Sequence, residues 1–199
     1  MEEDIDFNEQ GLVPCVVQDA SSGEVLTLAY MNAEALEQTR ATGEMHFFSR
    51  SRGELWHKGE TSGNVQRVRG LRLDCDGDAI VALVDPAGPA CHTGERTCFF
   101  RGDVDPVPAE ALGALERTVE SRRASADGSS YTRELLDDPP RIGAKVREEA
   151  EEVARAAAEE PDERVSSEAA DVLYHLTVLL ASRDLSLADA FAELNARRG

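Results

Sequence analysis

Three acids alternate through Asp74, Asp76 and Asp78, with Cys75 between the first two. Cys91, His92 and Cys98 follow in a stretch rich in Gly and Pro. Carboxylates are hard oxygen donors that suit Mg²⁺. Thiolates are soft and suit Zn²⁺. If the acidic segment is extended, alternation sets the three Asp side chains on one face and Cys75 on the other. One strand then serves two metals of different character, or one metal from each of two subunits. A hairpin turn at Asp76-Gly77 would break that alternation. A closed structural zinc site takes four ligands, whereas a catalytic one keeps a position for water. The fourth cysteine, Cys15, lies far away beside Pro14. Buried free thiols are the plain alternative for any single cysteine, but they fit poorly for Cys75 among acids and Cys91 beside His92. A calcium loop of the EF-hand kind does not fit, since its sixth position would be Ala79 and its twelfth Asp85.

A second constellation lies further on. Lys145, Glu148, Glu149 and Glu152 are spaced to share one helix face. Glu168 and Asp171 stand three apart on the next helical segment, with His175 one turn beyond. A solvated charged stripe is the usual fate of helical Glu. Here position argues otherwise. Ile142, Val146, Ala150, Val153 and Ala157 form an apolar stripe, and the charged group centres roughly 110° from it, beside the core rather than opposite. Glu168 and Asp171 flank the stripe of Val165, Ala169, Val172, Leu173, Leu176 and Leu180 in the same way. If the two helices pack antiparallel, the carboxylates converge and repel unless a cation sits among them. Octahedral Mg²⁺, bridging to phosphates, fits.

Basic residues gather at Arg50, Arg52, Lys58, Arg67 and Arg69, around a loop from Gly59 to Asn64 that includes Ser62. Solubilised strand edges would explain each one singly; together with the loop they make an anion site. Such local cations matter because the whole chain carries a net charge of −18. That field repels phosphorylated ligands in general and argues against a nucleic-acid partner. His57 follows the only tryptophan, Trp56, and could act as ligand or base.

The elements that must position these groups divide the 199 residues in two. Up to about Arg101 the pattern is mainly strands: 12–18, 25–30, 45–49, 55–58, 65–73 and 79–84. A helix over 33–42 is capped by Asn32 and ended by Gly43. Pro106 and Pro108 mark a linker over 102–108. Helices are expected over 109–126, 131–136 (stopped by Pro139-Pro140), 141–159, 162–182 and 187–197. The expectation is a mixed α+β, mainly β, domain over 1–105 and an all-α helical domain over 109–199, the latter burying its core by dimerising. No apolar run is long enough for a membrane span. The acidic start Met1-Glu2-Glu3-Asp4 does not read as a secretion signal, and thiols without one suggest a cytoplasmic protein.

Both halves resemble known families. The first resembles phosphoribosyl-AMP cyclohydrolase through Gly11-Leu-Val-Pro, Ala29-Tyr-Met-Asn, Ser49-Arg-Ser-Arg, Leu55-Trp-His-Lys-Gly-Glu-Thr-Ser-Gly-Asn, Asp74-Cys-Asp-Gly-Asp, Gly88-Pro-Ala-Cys-His-Thr-Gly and Thr97-Cys-Phe. The second resembles phosphoribosyl-ATP pyrophosphohydrolase through Ser130-Tyr-Thr, Lys145-Val-Arg-Glu-Glu-Ala-Glu-Glu and Glu168-Ala-Ala-Asp-Val-Leu-Tyr-His. Arg147 stands where that family has Gly, on an outward-facing position.

The resemblance implies a bifunctional enzyme of histidine biosynthesis, acting at its second and third steps on small phosphoribosyl nucleotides. It implies Mg²⁺ on Asp74, Asp76 and Asp78. It implies Zn²⁺ on Cys75, Cys91 and Cys98, with Cys75 crossing a homodimer interface, so the first domain is expected in a metal-linked dimer. In the helical half, metal falls to Glu148, Glu149, Glu152, Glu168 and Asp171, with Lys145 on a phosphate. His92 is the first candidate for moving protons during ring opening, His57 the second; Arg50, Arg52, Lys58, Ser62 and Asn64 would hold substrate. Two other readings compete: a non-catalytic, metal-stapled dimerisation module with an inert four-ligand zinc and surface glutamates, and a general nucleotide pyrophosphatase in the helical half.

Overall fold

The computed structural model describes residues 4–103, 107–125 and 130–198. The chain forms two compact units, 1–107 and 108–199.

The first unit is a six-stranded sheet in the order β4-β3-β2-β1-β6-β5. Its strands are β1 (Val13–Asp19), β2 (Val25–Met31), β3 (His46–Ser49), β4 (Glu54–His57), β5 (Gln66–Leu73) and β6 (Ile80–Pro86). β1 and β6 run parallel, and every other pairing is antiparallel. β1 alternates strictly, burying Val13, Cys15, Val17 and Asp19, because a half-buried strand shows every second side chain to the core. β2, β3 and β6 add Leu26, Met31, Phe47, Ile80, Ala82 and Val84 to that core. Trp56 packs on it from β4, its ring 5.0 Å from Phe47. The sheet curls into a partial barrel. The lead-in to β3 bridges β5 at Glu44–Arg67, and Met45 donates its N–H to the Gln66 carbonyl at 3.0 Å.

Helix α1 (Ala33–Thr42) forms where its caps put it. The Asn32 side chain accepts from the Ala35 N–H, and Gly43 ends the helix at φ 72°. Such a cap contributes about 1 kcal/mol.

The second unit is helical: α2 (Glu110–Ala124), α3 (Tyr131–Leu136), α4 (Pro139–Glu159), α5 (Asp162–Ala181) and α6 (Leu187–Ala196). The expected end of α2, at 126, lies outside the described residues. Several boundaries shift by a residue or two; at α4, Pro139 and Pro140 open the helix rather than only closing α3. Proline lacks the N–H that a first helical turn leaves unpaired anyway, and the Asp138 side chain caps the start by accepting from Arg141 N–H. α4 and α5, joined through Glu160 and Pro161, pack as a helical hairpin. The core is Val119, Leu135, Ile142, Val178 and Ala181.

The face of α4 is turned relative to its apolar pattern. Ile142, Glu149 and Ala156 are the buried positions, whereas Ala150 and Ala157 are exposed. On α5 the buried set is Glu168, His175, Thr177, Val178 and Ala181, with Leu173 and Asp171 exposed. Glu149 and Glu168 therefore lie within the packed faces and not merely beside them.

Candidate active sites

The acidic segment is a loop, so the extended reading with Cys75 on the opposite face of a strand does not hold. β5 and β6 pair up to Leu73 and Ile80. The chain then turns through Gly77, at φ 81°, a conformation that favours glycine. The Asp74 N–H donates to the Ala79 carbonyl, and the Ala79 N–H returns to Asp74 Oδ1, both at 3.2 Å. A side chain at 77 would collide with the Asp4 carbonyl, and Asp6 N–H donates to the Gly77 carbonyl at 2.9 Å. This tight turn gathers Asp74, Asp76 and Asp78, each offering an oxygen, within 4.8 Å of one another.

The electrostatics of the turn suit a cation. Asp78 titrates above the usual carboxylate range because it shares a hydrogen bond with Asp74 and is repelled by Asp76 and Asp74. Loss of water pushes Asp74 up, but the Ala79 N–H and hydrogen bonds with Asp78 and Asp76 outweigh it, leaving Asp74 below that range. Three clustered carboxylates that repel one another are what a hard divalent ion would relieve.

Cys91 and Cys98 come together elsewhere. The segment between them folds back on itself, with Ala90 N–H to Arg96 C=O at 3.0 Å and Cys91 N–H to Glu95 C=O at 3.1 Å. Cys98 N–H donates to the Leu26 carbonyl of β2 at 2.8 Å. The two thiols line one pocket of about 400 Å³ with His92, Thr93, Phe100 and Arg101. The Thr93 hydroxyl donates to Cys91 Sγ at 3.1 Å. That bond and the Thr93 N–H draw the Cys91 thiol below its ordinary value, against the opposing effect of burial. A readily ionised thiol fits a metal ligand. His92 Nδ1 stands 3.9 Å from the same sulfur.

Cys75 is exposed in the acidic turn, its Sγ 3.9 Å from Asp76 Oδ1. Among the described residues of one chain, Cys75, Cys91 and Cys98 do not form a three-ligand group. Cys15 is buried in β1, and burial pushes its thiol up to about 12. It packs in the sheet core and belongs to no candidate ligand group among the described residues.

The basic residues disperse. Lys58 reaches the thiol loop, its Nζ donating to the Ala90 carbonyl at 2.6 Å. Burial lowers its pKa while Cys98 and Cys91 pull the other way. The Arg50 guanidinium lies 3.8 Å over the Tyr30 ring. Arg52 pairs with Glu54 at 3.1 Å, and Arg69 pairs with Asp85, both on the surface. The Ser62 hydroxyl accepts from Asn64 N–H at 3.3 Å, and the Asn64 amide fills the space that a side chain at Gly88 would need. His57 stacks on His46 with centroids 4.4 Å apart and lies 2.8 Å from Glu44 Oε2. It does not line the thiol pocket.

In the helical unit Glu149, Glu152 and Glu168 bring carboxylate oxygens within 4.8 Å. Glu149 and Glu168 are only 6% and 4% exposed, far from the solvated fate of ordinary helical glutamates. Lys145 Nζ stands 3.0 Å from both Glu148 and Glu149, which hold its ammonium well above its ordinary value. Burial raises the Glu168 carboxyl, partly opposed by Arg164 and reinforced by Glu152. Glu148 is half-exposed and Asp171 exposed; neither belongs to the three-carboxylate group.

Two neighbours, Arg164 and Tyr131, escaped the sequence-based site, while His175 stood beside it without a role. Arg164 donates to Glu168 from one turn earlier on α5. His175 is buried; its Nδ1 donates to the Asp171 carbonyl at 2.9 Å, leaving Nε2 to accept from the Tyr131 hydroxyl at 3.3 Å. Tyr131 stood in a quoted motif, but nothing in its spacing tied it to the carboxylates.

Comparison with known proteins matches this division. A family model described as phosphoribosyl-AMP cyclohydrolase matches residues 27–100, and one described as phosphoribosyl-ATP pyrophosphohydrolase matches residues 112–198. A two-part hydrolase is the class that these matches define. A histidine biosynthesis bifunctional protein HisIE from Bacillus subtilis is 49% identical over 199 residues, covering 98% of this chain and 95% of the relative. The HisIE proteins of Gloeobacter violaceus and Thermus thermophilus are 49% and 50% identical over 96% and 92% of this chain, and 89% and 87% of their own. The chain belongs to this family of bifunctional HisIE proteins of histidine biosynthesis.

Proposed function

We propose that the helical unit cleaves phosphoribosyl-ATP to phosphoribosyl-AMP and pyrophosphate, and that the sheet unit then opens the adenine ring of phosphoribosyl-AMP between N1 and C6. The observation that carries this reading is the match to bifunctional relatives along almost the whole of both chains. The two units each present their own candidate metal groups, as two separate hydrolyses require.

In the sheet unit, Cys91 and Cys98 supply two soft ligands, and Cys75 of a second copy completes the set in a homodimer. A single chain keeps Cys75 away from the other two thiols. Apolar Val25, Leu28, Phe99 and Phe100 are exposed on the same unit, as an interface would use them. Bound zinc supplies water of pKa near 7, the usual requirement for hydrolysis at neutral pH. His92, at the pocket wall beside Cys91, takes and returns the proton as water adds at C6 and N1 leaves. Asp74, Asp76 and Asp78 hold a hard cation. Arg50 and Lys58 face the substrate's phosphates, with Arg52, Ser62 and Asn64 completing the surrounding loops.

In the helical unit, Glu149, Glu152 and Glu168 hold the ion, with Glu148 and Asp171 at its edge. Bound magnesium neutralises phosphate charge and orients water. Lys145 meets a phosphate oxygen, reached from its present place against Glu148 and Glu149. The helical unit also dimerises: Tyr131, Leu173, Phe191 and Leu194 are exposed on it, more apolar surface than its small core leaves idle.

A coupled assay tests both halves. Phosphoribosyl-ATP should yield pyrophosphate and the ring-opened product, each activity falling when chelator removes metal. Equal turnover of ordinary nucleoside triphosphates would replace this reading with a general nucleotide pyrophosphatase. The non-catalytic alternative requires a fourth zinc ligand and surface glutamates. Cys15, packed in the sheet core, and the buried Glu149 and Glu168 speak against it.

A further inference from the structure

We infer that Arg96 is a positioning residue for the thiol pair, fixing Cys91 and Cys98 at ligand spacing by clamping their loop to the β1–β2 turn. The inference rests on the reading of these two cysteines as metal ligands.

Arg96 supplies the ion pairs that join this loop to the β1–β2 turn. Arg96 stands between the two cysteines in sequence, and its carbonyl already accepts from Ala90 N–H at 3.0 Å. Its guanidinium spans two carboxylates of a different segment. Nη2 donates to Asp19 and Nε donates to Glu24 Oε2 at 3.0 Å. The three side chains are 25%, 5% and 10% exposed, so solvent screens this bridge far less than a surface pair. Asp19 is itself fixed, accepting at Oδ1 from the Ser21 hydroxyl at 2.6 Å and the Ser21 N–H at 2.8 Å.

The bridge thus ties the loop to a rigid strand end. The Thr97 hydroxyl adds a bond to the Val25 carbonyl at 2.7 Å, and Cys98 N–H follows on Leu26. A guanidinium can span two acids in this way because its donors form a planar fork; an ammonium cannot hold both with the same geometry. Nothing places Arg96 in the pocket lining itself. It acts on the thiols through the loop.

The test compares the full chain with Arg96→Met and Arg96→Lys. Zinc affinity, read by competition with a chromogenic chelator, should fall by about 10–100-fold in both variants, the usual effect of losing an outer-shell partner. The turnover number for ring opening should fall with it, while the KM for phosphoribosyl-AMP stays within about twofold. A second readout needs no metal. In a Cys75→Ser background, the stripped protein should capture phenylarsine oxide across Cys91 and Cys98, and both variants should capture it at least about tenfold more weakly.

Trp56, the chain's only tryptophan, reports whether the sheet unit is folded. If Arg96→Met unfolds, Arg96→Lys decides, since it keeps the charge between the two acids. Wild-type zinc affinity and arsenical capture in a folded variant would overturn the inference. Should the wild type bind no zinc while capture still depends on Arg96, the metal reading fails and the positioning role stands.

Discussion

Arg164, in the first turn of α5, donates to the buried carboxylate of Glu168 one turn further on. The guanidinium thereby neutralises part of a three-carboxylate cluster from its open side. A divalent ion entering that cluster competes for the same oxygens. Arg164→Gln should therefore bind Mg²⁺ about two- to fivefold more tightly, and its helical unit should melt at lower temperature without metal. Thermal melts across a magnesium titration read both effects. An unchanged apparent affinity would show that Arg164 leaves Glu168 free.

Glu149→Gln keeps the shape of α4 but removes one of the clustered charges. Pyrophosphate release should fall by at least about 100-fold, the scale of losing a transition-state electrostatic group. Ring opening of phosphoribosyl-AMP should persist, since Glu149 belongs to the other unit. Separate assays of the two steps on one preparation decide it. Loss of both activities would mean that the substitution unfolds the chain.

His92→Ala should retain zinc while ring opening slows by about 100–10,000-fold, the range of general acid–base catalysis. Metal content by atomic emission and turnover of phosphoribosyl-AMP are measured together. Near-normal turnover with zinc in place would remove His92 from the reaction.

Asp19 gives the sheet unit an acid limit. Burial pushes its carboxyl up, but the Ser21 hydroxyl, the N–H groups of Ser21 and Ser22, and Arg96 outweigh that, so it titrates below its ordinary value. A depressed folded-state pKa adds stability that is fully present above the unfolded value, about 3.9, and lost as pH falls through the folded one. Removing one partner of a buried pair costs about 3–5 kcal/mol. Asp19→Ala should be destabilised near pH 7, and the gap to wild type should close below about pH 4. Urea melts followed by Trp56 emission check this. A gap that stays constant down to pH 2.5 would deny Asp19 its role.

Local signals read well from the sequence where one residue decides one feature. Asn32 and Gly43 bound α1 as expected because a side-chain cap and a left-handed glycine are short-range chemistry. The alternation in β1 survives because one face meets one core. The helix faces were harder. The apolar pattern assigns Ala150 to the core and Glu149 to its flank, whereas the structure buries Glu149 and exposes Ala150. Burying a carboxylate is costly unless it is partnered, and Lys145 supplies that partner within the same helix. The acidic segment left two readings open, a strand by its alternating Asp residues and a turn at Asp76-Gly77; Gly77 curls it and the N-terminal segment holds the curl in place. The meeting of Arg96 with Asp19 and Glu24 joins residues remote in sequence, and no local pattern announces it.

The Asn64 amide seated against Gly88 makes a single hydrogen atom matter. A methyl group at 88 would push the Asn64 amide out of that seat. One of the groups proposed to hold substrate would then need a new resting place, without any charged or sulfur-bearing residue having been touched.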